Sequence, residues 1–254
     1  MSGRLAVIGL GPGDARWLTR EAETALAGAD ALYGYGPYLD RVPSRPGQAR
    51  HPSDNREESA RAAAALRHAS EGADVAIVSG GDPGVFAMAA AVCAEIEAGP
   101  QAWRTLDIAI VPGVTAMLAV AARVGAPLGH DFCALSLSDN LKPWELIERR
   151  LDAAAGAGFV IALYNPISRA RPWQLGAAFE RLRQRLPAST PVMFGRAVGR
   201  PDESVVVTTL EGADPAAADM ATLVIVGSSE TRAIARPGRA PLVYTPRAVQ
   251  GASA

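Results

Sequence analysis

The sequence contains few of the residues that build metal centres or disulfide frameworks. It has only three histidines (His51, His68 and His130) among 254 residues, and no histidines or cysteines are grouped at the spacing of metal ligands. The two cysteines, Cys93 and Cys133, each lie within an apolar stretch, which favours buried thiols in a reducing cytosol over a disulfide. We therefore predict no metal site and no disulfide.

The sequence also lacks a strong excess of charge and any long hydrophobic run. Its formal net charge is −1, whereas nucleic-acid-binding proteins usually carry a marked basic excess. No apolar segment is long enough to span a bilayer, and the first residues lack the basic and apolar regions of a signal peptide. With 49% apolar and 20% charged residues the chain is typical of a globular enzyme, and we expect it to be cytoplasmic, without nucleic-acid or membrane partners.

What the sequence does have is a series of glycine-rich turns, and the first follows an apolar run in LAVIGLGPGD. A dinucleotide-binding loop needs the spacing G-x-G-x-x-G, but here the glycines are Gly9, Gly11 and Gly13. Pro12 has no backbone N–H to donate, and the carboxylate of Asp14 would repel a phosphate. A tight turn between strand and helix is favoured over a phosphate site, and a loop that faces another kind of ligand stays open.

Short β-branched segments alternate with helical ones along the first half of the chain. This order predicts a domain of residues 1–126 with a mainly parallel sheet covered by helices. Glycine and proline cluster at 125–131, which indicates a linker. The pattern then restarts, but the last strands have little helix between them. We therefore predict a second α/β domain with a mixed sheet at 127–245, followed by a disordered tail at 246–254.

The predicted turns crowd just after strands, which is where ligands bind in open α/β sheets. In SGGDPGVF (79–86), two glycines let a ligand approach the backbone, and Asp82 offers oxygens to a hydroxyl or an amine or, alternatively, caps the next helix. PGVTA (112–116) and YNP (164–166) follow two further strands, and the first three turns are predicted to share one end of a sheet. Such loops suit a ligand with hydroxyls and positive charge, and S-adenosylmethionine fits that description.

The motifs GLGPGD, SGGDPGVF, PGVTA and YNP, in this order, resemble those of the tetrapyrrole methylases, which are class III S-adenosylmethionine methyltransferases. The resemblance covers residues 5–245. Three further stretches are similar to the branch that acts at carbon 17 of a precorrin, namely GYGPYLD (34–40), GHDFCALSLSDNLKPWELIERRL (129–151) and YNPISRARPWQL (164–175).

The resemblance implies two α/β domains with a cleft between them, usually in a homodimer. The implied activity is methylation of carbon 17 of precorrin-3B with ring contraction, in cobalamin biosynthesis. The implied cofactor is S-adenosylmethionine, held mostly by backbone contacts. The matching positions are Pro12, Gly80, Gly81, Asp82, Val85, Thr115, Ala116, Asn165 and Ala197.

Ring contraction involves proton movements, so the resemblance also implies acid–base groups. A structural alternative exists for each candidate, because turn and linker residues also form hydrogen bonds that only fix the fold. The candidates are Asp14 in the first loop and, in the distinctive segment, His130, Asp131, Ser136, Ser138 and Asp139.

A tetrapyrrole with many carboxylates implies arginines that bind them and aromatic rings that line the macrocycle. Loop packing and a solvated surface are the alternative roles of such residues. The candidates are Tyr35, Tyr38, Arg41, Arg45, Arg50, Arg56, Arg169 and Arg171.

Other functions within and outside the family stay open at this point. The nearest are a cobalt-containing precorrin substrate and methylation at a different ring carbon. Diphthine synthesis and ribosomal RNA methylation are disfavoured by the near-neutral charge and by the segment 129–151. A nicotinamide-dependent oxidoreductase would need a different glycine spacing, and a non-catalytic module would bind the cofactor without methyl transfer.

Overall fold

The computed structural model describes residues 3–54 and 56–248. The described residues form two compact units, the first ending at Thr115 and the second beginning at Ala116. The division falls one helix earlier in the chain than the boundary expected at residue 126. Of the predicted tail, residues 249–254 lie outside the described residues.

The first unit is built on a five-stranded sheet in which all neighbouring strands are parallel. This confirms the mainly parallel sheet predicted from the alternation of strands and helices. The spatial order is β3-β2-β4-β1-β5. The strands are β1 (Arg4–Gly9), β2 (Ala31–Tyr35), β3 (Ala49–Ser53), β4 (Asp74–Ser79) and β5 (Asp107–Val111).

Helices cover both faces of this sheet because successive side chains of a strand point to opposite faces. Leu5 and Val7 of β1 belong to one buried cluster, whereas Ala6 and Ile8 belong to the other. The inner strands of such a sheet are therefore apolar at nearly every position, whereas the edge strand β3 is exposed or half-buried throughout. The helices are α1 (Arg20–Gly28), α2 (Gly36–Leu39), α3 (Glu58–Ser70) and α4 (Met88–Ala98), with 3₁₀ turns at Ala15–Trp17 and Gln101–Thr105.

The second unit has a five-stranded sheet in the order β10-β9-β11-β8-β7, formed by β7 (Phe132–Ser136), β8 (Val160–Tyr164), β9 (Pro191–Arg196), β10 (Ser204–Thr209) and β11 (Thr222–Val226). Only β7 and β8 pair in parallel, and the other pairs are antiparallel. This confirms the predicted mixed sheet. The helices of the unit are α5 (Ala116–Val124), α6 (Trp144–Gly156) and α7 (Gln174–Arg183), with a 3₁₀ turn at Pro215–Ala217.

A third, smaller sheet in the second unit was not predicted from the sequence. It has the order β12-β13-β6, with β6 (Gly125–Ala126), β12 (Arg232–Arg236) and β13 (Arg239–Tyr244). At Gly125 φ is +134°, and a Cβ there would lie 2.5 Å from the carbonyl oxygen of Val243, so the strand contact needs glycine. The segment expected to be a linker is thus a structured part of the second unit.

The two cysteines differ in exposure. Cys93 is exposed on α4, because the buried face of that helix is formed by Met88, Ala89 and Val92. The expectation of a buried thiol was therefore wrong for Cys93. Cys133 is partly buried, and this burial raises the pKa of its thiol.

The helices of the described residues are all too short or too polar to cross a lipid bilayer.

Candidate functional site

The first three glycine-rich turns lie side by side at one end of the first sheet. Strands β4, β1 and β5 are parallel neighbours, so their carboxyl ends point the same way. The loops that leave these strands are 9–14, 79–86 and 112–116. Their common location confirms the prediction made from the order of strands and turns.

The first and second loops are joined by backbone hydrogen bonds. Gly11 N donates to Gly81 O at 3.1 Å, and Gly81 N donates to Gly11 O at 3.0 Å. Both residues have φ in the left-handed region, at +65° and +68°. A residue with a Cβ would be strained at either position, which explains these two glycines without a ligand.

Asp82 joins the second loop to the third. Its Oδ1 accepts from Gly84 N at 2.8 Å, and its Oδ2 accepts from Gly113 N at 3.0 Å. Helix α4 begins six residues later at Met88, so Asp82 is not the cap of that helix. Oδ1 therefore fixes the second loop itself and Oδ2 ties it to the third, and each oxygen retains capacity for a further donor.

The three loops also contact one another directly through backbone atoms. A Cβ at Gly9 would lie 2.7 Å from Gly113 N and from Gly81 O, and a Cβ at Gly113 would lie 2.3 Å from Gly81 O. Real Cβ atoms do not approach backbone so closely, so glycine is required at both positions for the loops to pack.

The tyrosines of the 34–40 segment pack against the second loop. A Cβ at Gly80 would lie 2.6 Å from the ring carbon Cζ of Tyr38, which places that ring directly against Gly80. The rings of Tyr35 and Tyr38 meet edge to face, with centroids 5.4 Å apart. Both predicted macrocycle-lining residues are thus at the carboxyl end of the first sheet.

Most arginines of the long first loop contact the protein backbone. Arg41 Nη2 donates to the carbonyls of Leu10 and Gly11, at 2.9 and 2.8 Å, and so braces the first glycine loop. Arg50 donates to Val42 O at 2.9 Å. Arg45 Nη1 donates to Ala27 O in the last turn of α1, just before the amino end of β2.

This location does not support the expectation that Arg45 binds the substrate, which stays a prediction. The glycine loops lie at the carboxyl ends of the strands, and Arg45 is held at the opposite end of the same sheet. Arg56 is exposed beyond β3.

Asp14 is exposed and its carboxylate binds Arg16. It accepts from Arg16 N at 3.0 Å and from Arg16 Nη2 at 2.9 Å. These hydrogen bonds lower the pKa of Asp14, so it is ionised across the neutral range. A carboxylate with a lowered pKa is a weak base. Asp14 is therefore better suited to attracting a cationic ligand than to accepting a proton.

Of the remaining candidates in the three glycine-rich loops, Pro12 and Val85 are partly exposed, while Thr115 is buried just before α5. Ala116 is the first residue of that helix. The next residue, Met117, donates its N–H to the Tyr164 hydroxyl at 3.1 Å, which ties α5 to the end of β8.

In the second unit, β7, β8 and β9 run in the same direction, so their carboxyl ends also share one end of the sheet. Asn165 follows β8 with φ of +51°, and its Nδ2 donates to Oγ of the buried Ser136 at 3.0 Å. Ser138 N donates to the same oxygen at 3.3 Å. Ala197 follows β9 with φ of +48°. Two predicted cofactor positions thus carry a backbone conformation that is unfavourable for most residues.

The predicted substrate arginines of this unit flank Asn165. Arg171 Nη1 donates to Asn165 O at 3.2 Å, and Arg169 is exposed in the turn between Ser168 and Arg171. Both are at the same end of the sheet as Ser136 and Asn165.

The predicted acid–base candidates do not all lie together. Ser138 and Asp139 follow the carboxyl end of β7, whereas His130 and Asp131 precede its amino end. At 3.3 Å per residue, five residues of strand separate the two pairs by about 16 Å. His130 Nδ1 lies 3.8 Å from Oδ2 of the exposed Asp131. A single constellation of all four residues is therefore ruled out, because β7 holds them apart.

Two buried polar side chains at these ends of the sheets were not predicted. Arg61 donates to Ser53 Oγ at 2.7 Å and to Asp54 O at 2.6 Å, and burial lowers the pKa of its guanidinium. Gln174 is 1% exposed, and its Nε2 donates to both carboxylate oxygens of Asp139 at 3.3 and 3.2 Å. Each is a polar residue within an apolar helical face, and that pattern is the sequence signal that could have found them.

Comparison with known proteins identifies the family to which this chain belongs. The family model of the Tetrapyrrole (Corrin/Porphyrin) Methylases matches residues 4–214. The chain is 65% identical over 253 residues to the Precorrin-3B C(17)-methyltransferase of Sinorhizobium sp, with 100% of both chains covered. It is 41% identical over 228 residues to a Probable cobalt-factor III C(17)-methyltransferase of Salmonella typhimurium, covering 89% of this chain and 93% of that protein.

Among solved structures, that of the methyltransferase CobJ matches with a TM-score of 0.91 and 49% identity, covering 96% of this chain and 100% of that chain. The protein belongs to the tetrapyrrole methylase family.

Proposed function

We propose that this protein transfers a methyl group from S-adenosylmethionine to carbon 17 of precorrin-3B, with contraction of the macrocycle, in cobalamin biosynthesis. The observation that carries the proposal is the 65% identity, across the whole of both chains, to a precorrin-3B C(17)-methyltransferase. The motif order by itself would leave the ring carbon open.

The loops at the carboxyl end of the first sheet fit S-adenosylmethionine better than a phosphate ligand. Asp14 and Asp82 place two carboxylates there, which would repel a phosphate and attract the sulfonium and amine of this cofactor. Gly80 and Gly81 are partly exposed, so a ligand can contact this part of the second loop. When bound, S-adenosylmethionine supplies an electrophilic methyl group.

We propose that the cofactor contacts are those implied by the family resemblance. They include the two second-unit positions with positive φ, where strain is retained in the folded chain. The residues are Pro12, Gly80, Gly81, Asp82, Val85, Thr115, Ala116, Asn165 and Ala197.

The protein's main contribution to methyl transfer is positioning. An in-line displacement needs the acceptor carbon close to the methyl group and aligned with it, and such orientation supplies roughly 7–11 kcal/mol of a barrier. We assign this role on the substrate side to Tyr35, Tyr38, Arg169 and Arg171, of which Tyr38 packs on Gly80 and Arg171 contacts Asn165.

Proton transfer during ring contraction is assigned to Asp139, with Ser138 beside it. Asp139 lies at the carboxyl end of β7 and is held by a buried amide, whereas His130 and Asp131 lie at the other end of that strand. Asp14, ionised and exposed, has an electrostatic role in this proposal.

A cobalt-containing substrate is the second candidate, because the chain is also 41% identical to a probable cobalt-factor III C(17)-methyltransferase. The two candidates share the methylated carbon and differ in the metal that the macrocycle carries.

The test is incubation of the protein with S-adenosylmethionine and either precorrin-3B or its cobalt-containing counterpart, followed by mass and absorption measurements. One added methyl group with loss of the original chromophore of precorrin-3B is the expected result. Transfer only to the cobalt form would replace the first candidate by the second. Methylation without a chromophore change would assign another carbon, and no transfer to either macrocycle would overturn the proposal.

We also propose that the protein works as a cytoplasmic homodimer, as the family resemblance implies. Sedimentation velocity at micromolar concentration tests the dimer, and a single species with the mass of one 26.4 kDa chain would contradict it.

A further inference from the structure

Gln174 is a buried amide whose two ends have very different surroundings. It is the first residue of α7 and is 1% exposed, next to the core residues Leu175 and Ala178. Its Nε2 lies within hydrogen-bonding distance of both oxygens of Asp139. Its Oε1 is fully buried and has no hydrogen-bond partner among the described residues.

The orientation of this amide follows from Asp139. If the side chain were turned over, Oε1 would face two carboxylate oxygens and would be repelled by them. The amide therefore donates to the carboxylate and leaves its own acceptor unsatisfied, which is unfavourable for a buried group. An apolar side chain would pack in this core without that penalty, so packing alone does not explain Gln174.

The amide of the partly buried Gln48 shows what a purely structural role looks like. Gln48 Nε2 donates to the backbone carbonyls of Leu26 and Ala29, at 3.0 and 2.7 Å, and its Oε1 is likewise without a partner among the described residues. Gln48 thereby satisfies carbonyls at the end of α1. Gln174 instead donates both of its hydrogen bonds to a single side-chain carboxylate.

Asp139 has a cation in its neighbourhood as well. Burial and Arg150 lower the pKa of Lys142, whereas the charge of Asp139 raises it, so the two side chains interact electrostatically. Asp139, in the loop that follows β7, thus accepts hydrogen bonds from one buried amide and interacts electrostatically with Lys142. Its orientation is fixed from the side of α7 by Gln174.

We propose that Gln174 is a positioning residue that fixes the carboxylate of Asp139 for proton transfer. This inference rests on the proposed function, in which Asp139 is the acid–base group. Gln174 itself touches neither substrate nor cofactor in this role, because its side chain is buried in the second unit.

The central test compares Gln174→Met, which keeps the length of the side chain but has no amide, with Gln48→Met as the matched control. For Gln174→Met we expect kcat to fall by roughly tenfold to a hundredfold, the loss typical of a misplaced catalytic group. The KM for the macrocycle and the Kd for S-adenosylhomocysteine should stay within about twofold, and the melting temperature should not fall. Gln48→Met should lower the melting temperature and leave kcat unchanged.

A third variant, Gln174→Glu, adds a measurement of how activity depends on pH. A purely structural role of Gln174 would not change this dependence. In this variant the new carboxyl group lies next to Asp139, and the two share a single proton. When that proton dissociates, both groups are negatively charged and repel each other, so the contact is lost. The activity of this variant relative to the unmodified enzyme should therefore decline as the pH rises. The positioning role would be overturned by an unchanged kcat in Gln174→Met. It would also be overturned if the activity of Gln174→Glu relative to the unmodified enzyme did not change with pH.

Asp139→Asn separates failure of this inference from failure of the proposed function. Full activity in Asp139→Asn would remove Asp139 from the mechanism, and the inference with it. An inactive Asp139→Asn together with a fully active Gln174→Met would keep the acid–base role of Asp139 and reject Gln174 as its positioning residue.

Discussion

At the residue scale, the candidate site contains backbone conformations that most residues avoid. Phe86, Asn165 and Ala197 have φ of +53°, +51° and +48°. Each costs about 1–3 kcal/mol, and such strain concentrates at ligand-binding positions. All three lie in loops at the carboxyl ends of strands, Phe86 after β4 in the first unit and Asn165 and Ala197 after β8 and β9 in the second.

Asn165→Gly and Asn165→Ala separate the backbone of this residue from its side chain. Both variants lose the Nδ2 hydrogen bond to Ser136, but only alanine must hold a Cβ in the left-handed region. We expect Asn165→Ala to be less stable than Asn165→Gly by about 1 kcal/mol in urea denaturation. Equal stabilities would show that the positive φ carries no cost at this position.

The residue scale is also where prediction from sequence was least complete. Asp82 was recognised as important, but its role in joining two loops depends on Gly113, which is 31 residues away. Arg45 has the right chemistry for a carboxylate and lies at the wrong end of the sheet. Residue type predicts what a side chain can bind, whereas its partner is decided by which strands become neighbours.

At the scale of elements, the three glycine loops of the first unit pack as a single group, because Gly9, Gly81 and Gly113 approach one another without side chains. The order of strands and turns in the sequence was enough to predict this grouping. Parallel strands place their carboxyl ends together whatever their exact register.

Gly113→Ala should disrupt this packing. The new Cβ would lie 2.3 Å from Gly81 O, so the loops must separate, and we expect lower stability together with loss of S-adenosylhomocysteine binding in calorimetry. Gly28→Ala is the control, since a Cβ there meets nothing within 4 Å, and alanine is the better helix former. Normal binding by Gly113→Ala would refute the role of close packing.

Helices α6 and α7 are joined by an ion pair whose contribution depends on pH. Arg181 Nε and Nη2 donate to Asp152, with Nη2 to Oδ2 at 2.7 Å, and these hydrogen bonds lower the pKa of Asp152 below 3.8. Since the folded pKa is the lower one, the pair stabilises the fold above pH 3.8, and the contribution is lost as the pH falls below that value.

Asp152→Asn should therefore melt at a lower temperature than the unmodified protein at pH 7. The difference should shrink as the pH is lowered through 3.8, where the carboxylate takes up a proton in the unfolded chain and then in the folded one. Melting curves across this range measure it. A difference that stays constant with pH would mean that packing, not charge, is lost in the variant.

At the scale of the whole molecule, the composition restricts function before any motif is read. A net charge of −1 and scattered histidines exclude strongly basic nucleic-acid binders and dense metal sites. The described residues contain no group of three or more histidine, cysteine or acidic side chains that could hold a metal ion. We propose that the chain instead binds its ligand mainly through loops and backbone.

Ligand-dependent stability tests this conclusion directly. S-adenosylhomocysteine at a hundred times its Kd should raise the free energy of unfolding by about 2.7 kcal/mol. NAD and ATP at the same concentration should cause no shift, because the first loop has neither the glycine spacing nor the free N–H groups of a phosphate site. An equal shift with ATP would return the glycine loops to a phosphate-binding role.

The amino-acid sequence by itself determined the alternation of strands and helices, the parallel first sheet, the mixed second sheet and the family, because these depend on local periodicity and on motifs that are contiguous in the chain. Only the tertiary structure decided that Gly125 and Ala126 form a strand of a third sheet, that His130 and Asp131 lie far from Asp139 along β7, and that Gln174 holds Asp139 from α7. These facts depend on pairings between distant segments. Such pairings are selected by the packing of the whole unit, which no local pattern records.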